Sequence, residues 1–257
     1  MRTFFNYIVF GLLLGTASLR LFAAEPLVVA AVEYAPYTSS KMDNNGYVNH
    51  IVKLAFESKG IPTTFEYLPW ARAVKEGEEG QYEAVSYALF VEERTQHFLY
   101  SNPIINEEFH FFTRRDTAIE SFNGLSSIEG LRLGLTRGYA YPEEVWQYAN
   151  QKSDTVSIVN SDLQNFRMLA LKRIDLFPIN RLVGRRIIKE SFENNQNYFR
   201  VLTPSLMVRP THLLISKQSP RANELISLFN DALAEMQRNG ELNQIKDEMM
   251  RVHSPSD

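Results

Sequence analysis

The sequence predicts an α/β protein built around a mostly parallel sheet. Strand-like and helix-like segments alternate along most of its 257 residues, which is the pattern of strands joined by helical crossovers. Several strand-like segments are apolar at nearly every position, as expected where helices cover both faces of a sheet. A chain of this length is long enough for two small domains or for one large one.

The first half of the chain begins with the apolar run LVVAAV at residues 27–32, which has the length and composition of a buried strand. A helix follows, because apolar residues recur at helical spacing from Val48 to Ala55 and Gly60 then ends the run. The next predicted elements are a strand at 63–67, a helix at 71–79 and a strand at 84–90.

A second α/β unit is predicted after the extended run at residues 109–113, and Gly138 marks the turn from its first strand into its first helix. We interpret the second unit as an insertion in the first. The predicted elements from here on are strands at 131–135, 156–159, 174–177 and 211–216, and helices at 143–149, 163–171 and 182–189.

The clearest helix lies near the end of the chain. Ser219 is a favoured N-cap residue, Pro220 fits the first helical position, and Gly240 ends the helix. A surface for a partner helix is one interpretation of its apolar stripe, but packed core is the usual one. The stripe consists of Leu225, Phe229, Leu233 and Met236, and a shorter helical piece continues with Leu242, Ile245 and Met249.

The N-terminus has the pattern of a secretory signal peptide, which predicts export and removal of residues 1–24. A basic start precedes an apolar run at residues 4–17, and small residues ending in Ala23-Ala24 follow. Cleavage after Ala17 is the alternative. A membrane anchor would need about 20 apolar residues, and Arg20 interrupts this run.

The composition excludes several classes of function. The 27 Lys and Arg residues and 30 Asp and Glu residues give a net charge of −3, which provides no basic surface for a nucleic acid. The chain has no cysteine, so disulfides and cysteine-ligated metals are impossible. The five histidines show no paired metal-ligand spacing, and the sequence has no phosphate-binding loop and no G-x-S-x-G turn. We therefore expect neither a metal nor a cofactor.

The stretch from Gly80 to Ile104 resembles a signature of the family 3 extracellular solute-binding proteins, the polar amino-acid binders of ABC importers. In that family a glycine, a strand and a serine-rich loop lead to Thr-x-x-Arg and then to an aromatic-Ser-x-Pro segment. The corresponding residues here are Gly80, Ser86-Tyr87, the run from Val91 to Arg94, and the run from Tyr100 to Pro103. Four further regions match in order, namely YAPY at 34–37, LRLGL at 131–135, RID at 173–175 and GELNQI at 240–245.

The resemblance implies a type II periplasmic binding fold, which has two Rossmann-like α/β lobes joined by two hinge strands. Lobe 1 would comprise residues 25–112 and 208–257, and lobe 2 would comprise residues 113–207, inserted into lobe 1. The first crossing would lie within residues 100–113 and the second within 208–216. The ligand of such proteins lies in the cleft between the lobes, beyond the carboxyl ends of the strands.

The resemblance also implies a set of ligand-binding residues. Arg94 corresponds to the arginine that holds the carboxylate of the ligand, and a guanidinium suits this role because it is planar and bidentate. A surface ion pair with Glu92 or Glu93 is the alternative. Trp70 and Tyr34 correspond to aromatic walls of the cleft. Gly138 and Tyr139 fall in the loop whose backbone N–H groups meet the carboxylate in the family, at a helix start. Arg72 either lines the cleft or belongs to a solvated helix face.

Two departures from the family pattern affect the expected ligand. The serine-rich loop becomes Ser86-Tyr87 followed by apolar residues, so bulk partly replaces hydroxyls. The acid that usually binds the α-amino group of the ligand is replaced by Asn180, although Glu33 lies near another family acid. A desolvated ammonium without a carboxylate partner is costly. We therefore expect a larger or less zwitterionic carboxylate than a standard α-amino acid.

These residues predict a periplasmic, monomeric protein that binds a small carboxylate-bearing solute, closes by a hinge motion and delivers the solute to an ABC permease. One alternative is an enzyme of the same fold, similar to cyclohexadienyl dehydratases, in which Glu33 or Glu143 would act as general acid. Another is a sensory role in the periplasm.

Overall fold

The computed structural model describes residues 25–253, so the predicted signal peptide lies outside the described residues. No helix within this range is both long enough and apolar enough to cross a bilayer.

The first part of the described chain alternates strands and helices as predicted, and an additional short strand, β4, follows the third long one. Its elements are β1 (Leu27–Ala31), α1 (Tyr47–Ser58), β2 (Thr63–Tyr67), α2 (Trp70–Glu78), β3 (Ala84–Leu89), β4 (Phe98–Tyr100) and β5 (Asn106–Arg114).

The middle of the chain forms a second α/β unit, and the chain then returns to the first. The elements here are β6 (Leu133–Thr136), α3 (Glu143–Gln151), β7 (Val156–Val159), α4 (Asp162–Ala170), β8 (Leu176–Asn180), α5 (Arg181–Ser191), β9 (Phe199–Val201), β10 (Met207–Ser216), α6 (Ala222–Arg238) and α7 (Glu241–His253).

The strand order confirms the two-lobe α/β fold with lobe 2 inserted into lobe 1. The order is β2-β1-β3-β10-β5-β8-β6-β7, with β4 paired to β10 and β9 paired to β5. The last part of β10, from Thr211 to Ser216, pairs with β3 and β4 of lobe 1. Its first part, from Met207 to Pro210, pairs with β5, which continues into the lobe 2 sheet through β8. The strand β10 therefore belongs to both lobes. The predicted lobe boundaries themselves remain expectations.

The stripe of α6 is packed core, as predicted. Leu225, Phe229, Leu233 and Met236 are all buried. The Phe229 ring lies 5.4 Å from the ring of Phe56 on α1, measured between centroids. Burial of such side chains contributes roughly 1.5–3 kcal/mol each. The C-terminal helices are therefore fixed to lobe 1 by apolar contacts.

The predicted start of α6 is wrong by two residues. The helix begins at Ala222 with Arg221 as its N-cap residue, and Ser219 lies in the preceding turn. The Ser219 hydroxyl donates to Glu83 and accepts from the backbone N–H of Arg221. Because Glu83 and this turn engage the hydroxyl, it does not cap the helix.

An ion-pair network fixes the turn before β8 in lobe 2. The carboxylate of Asp175 accepts hydrogen bonds from Arg114 Nη2 at 2.9 Å and from Arg132 Nε at 2.8 Å. Burial alone would raise the pKa of Asp175, but the hydrogen bonds from Arg132 and Arg114 outweigh it and hold the pKa well below its usual range. Arg114 is buried, and its Nη1 also donates to the carbonyls of Leu169 and Ile174. The network therefore stabilises the ionised form of Asp175.

Candidate functional site

A cavity of about 950 Å³ lies between the lobes, at the carboxyl ends of their parallel strands. Lobe 1 supplies the segments that follow β1 and β2 together with the end of β3, and lobe 2 supplies the segments that follow β6 and β7. This is the position at which ligands bind in open α/β sheets. Of the predicted site residues, the lining includes Tyr34, Trp70, Tyr87, Arg94, Gly138 and Tyr139.

Arg94 and Trp70 of lobe 1 both contact Gly138 of lobe 2. The Gly138 carbonyl accepts a hydrogen bond from Trp70 Nε1 at 3.1 Å and another from Arg94 Nη2 at 3.2 Å. The guanidinium carbon of Arg94 also lies 5.1 Å from the centroid of the Trp70 ring, which is cation–π distance. Burial lowers the pKa of Arg94, but a guanidinium keeps its charge at any physiological pH.

The alternative for Arg94, an ion pair with a neighbouring glutamate, is absent from the part of the chain that the structure describes. Arg72, in contrast, is exposed and bonds Glu76 at 2.5 Å on the outer face of α2. Of Arg72 and Arg94, only Arg94 lines the cavity, together with Arg137 and Arg186.

The loop at Gly138 presents a backbone carbonyl to lobe 1, whereas the resemblance implied that its backbone N–H groups meet the ligand. Gly138 has φ +78°, a backbone conformation that favours glycine, and a Cβ there would be in ordinary contact with the Trp70 ring at 3.4 Å. The carbonyl of Gly138 is the group that meets lobe 1. The backbone N–H of Tyr139 is engaged with the carbonyl of Thr136 at 3.3 Å. A role of these N–H groups toward a carboxylate stays a prediction.

Tyrosine rings form one wall of the cavity. The Tyr34 ring centroid lies 6.4 Å from that of Tyr87 and 6.2 Å from that of Tyr139, which belongs to lobe 2. Tyr37, which is buried behind them, lies 6.1 Å from Tyr34. Burial raises the pKa of Tyr34, Tyr87 and Tyr139 well above the usual value, so all three hydroxyls stay protonated.

Ser86 and Asn180 do not belong to the lining, although the resemblance places both at the ligand. Ser86 is buried and donates to Asn49 Oδ1 at 2.6 Å. The Asn180 side-chain oxygen accepts from the backbone N–H groups of Leu182 at 2.9 Å and Val183 at 3.3 Å, as the cap of α5. Both side chains therefore lie behind the wall of the cavity and support it.

Glu107 is a cavity residue that sequence reasoning missed. It lies on β5, is only 3% exposed, and accepts hydrogen bonds from the Tyr87 hydroxyl and from Asn180 Nδ2 at 3.3 Å. Burial raises its pKa to about 7, although hydrogen bonds from Tyr87, Asn180 and Tyr34 oppose the rise. One signal was available. In strand β5, position 107 shares a face with Phe109 and Phe111 of the core.

Asp162 is a second missed acid of the cavity lining. It is the first residue of α4, and its carboxylate accepts from Thr136 Oγ1 and from the Tyr139 hydroxyl, both at 2.7 Å. Burial raises its pKa. An acid in the first turn of a helix is ordinary, so no sequence pattern indicates that this one faces a cavity.

The remaining candidates to locate are metal ligands and the two glutamates named as possible general acids. Within residues 25–253, no group of three or more His, Asp or Glu side chains is placed to hold a metal ion. Glu33 lines the cavity, but Ser39 and Ser40 bind its carboxylate at 2.8 and 2.5 Å. Glu143, the other candidate general acid, is not among the lining residues.

The comparisons with known proteins concern the family and the fold of the chain. The sequence pattern of the bacterial extracellular solute-binding proteins, family 3, matches residues 27–251. A search of curated proteins with the sequence finds no significant match.

Solved structures share the fold at low identity. A histidine kinase sensor domain with similarity to periplasmic binding proteins superposes with a TM-score of 0.75 at 18% identity, over 88% of this chain and 96% of its own. An ancestral arginine-binding protein bound to arginine has a TM-score of 0.74 at 18% identity, over 88% and 97%. The substrate-binding protein of an amino acid ABC transporter has a TM-score of 0.70 at 14% identity, over 88% and 99%.

Proposed function

Because the chain belongs to the bacterial extracellular solute-binding proteins of family 3, we propose that it captures a small carboxylate-bearing solute in the interlobe cavity and delivers it to an ABC importer. The solute is an amino acid or a related compound. Among the similar structures, one is the substrate-binding protein of an amino acid ABC transporter and another binds arginine, which supports this class of ligand.

The observation that carries the proposal is the position of Arg94. Its guanidinium stacks on Trp70 at the cavity wall, and no carboxylate of the described residues is paired with it. An arginine in this position offers several N–H donors to a ligand. A carboxylate would accept two of them in a bidentate arrangement, which a lysine cannot reproduce.

Capture would proceed by hinge closure. Arg94 and Trp70 reach across the cleft to the Gly138 carbonyl, so the groups that bind the solute also join the lobes. A solute stabilises the closed state only by its greater affinity for that state. A ligand carboxylate at Arg94 would add a charge-assisted contact to this junction.

We place the protein outside the cytoplasm, in the periplasm, after cleavage of residues 1–24. The extracellular character of the family and the signal-peptide pattern of the N-terminus support this location. The protein would work as a monomer there and would meet its permease at the inner membrane.

The test is a thermal-shift screen of amino acids, short peptides and organic acids, followed by calorimetric titration of the hits. Loss of a charge-assisted hydrogen bond of about 1.5–3 kcal/mol corresponds to binding weaker by roughly 10–100-fold. We expect this loss for Arg94→Ala and little recovery for Arg94→Lys, because an ammonium lacks the planar fork.

Arg72→Ala is the matched control, since Arg72 is exposed and bonds only Glu76 in the described contacts. The Arg72→Ala variant should bind the solute found in the screen with the affinity of the wild type. If no solute of any kind binds, the capture function is rejected. If a solute binds and Arg94→Ala leaves its affinity unchanged, solute binding stands and the carboxylate anchor is rejected.

A sensory role is the second candidate, favoured by the likeness to a histidine kinase sensor domain. The two roles differ in one measurement on cells. Deleting the gene should abolish uptake of the radiolabelled solute if the protein feeds an importer. Unchanged uptake with an altered transcriptional response to the solute would favour the sensory role.

A further inference from the structure

We propose that Glu107 is a positioning residue of the hinge, and that the lobes close around its protonated form, so that closure takes up a proton from solution. This regulation of closure goes beyond the proposed function and rests on it, because hinge motion is part of that function. It assigns Glu107 no contact with the solute. Acidification should then favour the closed form even when no solute is present.

Glu107 lies where the two lobes meet. It belongs to β5, and the segment around it, from Asn106 to Phe109, pairs with Met207 to Pro210 of β10 where both strands pass between the lobes. Its carboxylate accepts a hydrogen bond from the Tyr87 hydroxyl of lobe 1 and another from Asn180 Nδ2 of lobe 2 at 3.3 Å. One buried carboxylate therefore joins side chains of both lobes.

A second contact between the lobes depends on the same amide. Asn180 Nδ2 also donates to the Tyr37 hydroxyl of lobe 1 at 3.1 Å. In front of this junction, the Tyr34 ring of lobe 1 meets the Tyr139 ring of lobe 2 at a centroid distance of 6.2 Å. Hydrogen bonds are lost beyond about 3.5 Å, so opening of the cleft would break the contacts of Asn180 with lobe 1, part the two rings and admit water to Glu107.

No cation of the described residues offsets an ionised Glu107 in the closed cleft. Within residues 25–253, Glu107 forms no ion pair with a lysine, an arginine or a histidine. Arg209 is its partner in the register of β10 but is exposed. The titratable groups that face Glu107 from the other elements are neutral tyrosines and one acid, namely Tyr34 and Tyr37 after β1, Tyr87 on β3, Tyr139 after β6 and Asp162 on α4. Closure thus removes water from a carboxylate and supplies no counter-charge, which is costly for the ionised form alone.

The neighbours of Glu107 suit the protonated carboxyl as well as the ionised one. A tyrosine hydroxyl can donate or accept, so Tyr87 can donate to the carboxylate and accept from the protonated carboxyl. The other oxygen of Glu107, which receives the Asn180 amide, remains an acceptor in both forms. Protonation therefore removes the buried charge and keeps both contacts that join the lobes.

The direction of the pH effect follows from the two environments of the carboxyl. In the structure, where the lobes are in contact, burial raises the pKa of Glu107 to about 7 from its usual value of 4.5. Since the pKa is higher in the closed form, the contribution of Glu107 to closure is complete below about pH 4.5 and is lost as the pH rises through 7. Each pKa unit by which the two forms differ changes the ratio of closed to open molecules by about a factor of ten.

The experiment measures closure directly in the mature protein, without a solute. The chain has no cysteine, so spin labels can be attached through Lys75→Cys on α2 of lobe 1 and Glu144→Cys on α3 of lobe 2, both exposed positions. Double electron–electron resonance gives the distribution of distances between the two labels from about pH 5 to about pH 8. The distribution separates closed from open molecules and gives their ratio.

We expect the ratio of closed to open molecules to fall by roughly tenfold or more over this pH range. Glu107→Gln, whose amide cannot ionise, should show no such fall. Glu108→Gln is the matched control, because Glu108 adjoins Glu107 on β5, is more exposed and contacts His110. It should show the same fall as the wild type. Asp162→Asn should show it too, since both donors to Asp162 belong to lobe 2 and move with it.

Two results would overturn the inference. One is a ratio that changes by less than about twofold between the two pH limits. The other is a fall in Glu107→Gln equal to that of the wild type, when the variant has the wild-type circular dichroism spectrum. Tyr87→Phe keeps the test decisive if Glu107→Gln does not fold. The hydrogen bond from Tyr87 holds the pKa of Glu107 down, so Tyr87→Phe should extend the fall to higher pH, and an unchanged pH range would also overturn the inference.

Failure of this inference and failure of the proposed function are distinguishable, because the thermal-shift screen measures solute binding at a single pH. A protein that binds a solute and closes equally at every pH retains the capture function and loses the proton-linked closure. Closure that depends on pH, without any bound solute, would reject capture and leave the role of Glu107 in place.

Discussion

Replacing Glu107 by glutamine should change how the stability of the protein depends on pH. The pKa of Glu107 in the folded protein is about 7, against the usual 4.5, because burial disfavours the carboxylate. In the unfolded chain the side chain ionises near 4.5. The wild-type protein must therefore keep a proton that the unfolded chain has lost, or hold a buried charge, at every pH above about 5.

The sign and the size of the effect follow from this difference. The folded-state pKa is raised, so the contribution of Glu107 to stability is complete below pH 4.5 and is lost as the pH rises through 7. The two pKa values differ by about 2.5, and one pKa unit corresponds to about 1.36 kcal/mol. Between pH 4 and pH 8 the wild type should thus lose about 3 kcal/mol relative to Glu107→Gln.

The assay is urea unfolding of both proteins at several pH values from 4 to 8. Any cost of fitting glutamine to the donors of Tyr87 and Asn180 is the same at every pH, so it cancels when the change in stability with pH is compared. With urea slopes of about 1–3 kcal/mol per molar, the midpoint of Glu107→Gln should gain on the order of 1 M or more against the wild type. Glu108→Gln should show no such gain. A difference between Glu107→Gln and the wild type that stays constant within about 1 kcal/mol over the whole range would refute the reasoning.

Two further predictions concern other parts of the chain. Asp175→Asn should destabilise the protein at pH 7 by about 2 kcal/mol or more, because it removes charge-assisted bonds to Arg114 and Arg132. The pKa of Asp175 is depressed, so in urea unfolding this difference should shrink as the pH falls below about 4; a difference that grows on acidification would contradict it. The N-terminal pattern predicts that protein secreted by a bacterial host begins between Ser18 and Glu25, as read by N-terminal sequencing, and recovery of intact Met1 in the membrane fraction would contradict it.

The long strands and helices could be predicted because their patterns are long enough to show a period. The strands β4 and β9 have three residues each, which is too short for alternation to be visible, and their pairing partners lie far away in the sequence. The start of α6 was misplaced because Ser219 has the features of a cap. Its hydroxyl instead bonds Glu83, and that contact depends on tertiary structure.

The residues of the candidate site also differ in whether the sequence could predict them. Arg94, Trp70 and Gly138 were named from a resemblance, and the structure brings the three together. Glu107 is next to Glu108 in the sequence, and two adjacent glutamates are typical of a solvent-exposed segment. Only the register of β5 places one of them inside and the other outside. For Asp162 the deciding contacts come from Thr136 and Tyr139, which no local pattern records.

The pairing of β10 with β5 has a consequence for how such a protein can change over evolutionary time. Asn106 and Pro210 are opposite one another where the chain leaves lobe 1 and where it comes back. The two ends of the segment between these residues are therefore neighbours. If another segment replaced it as a block, the distance between the two attachment points on lobe 1 would stay the same. Joining neighbouring ends costs little more for a long segment than for a short one. The half of the cleft that carries Gly138 and Asp162 can thus be replaced by recombination while the half that carries Arg94 and Trp70 is inherited intact.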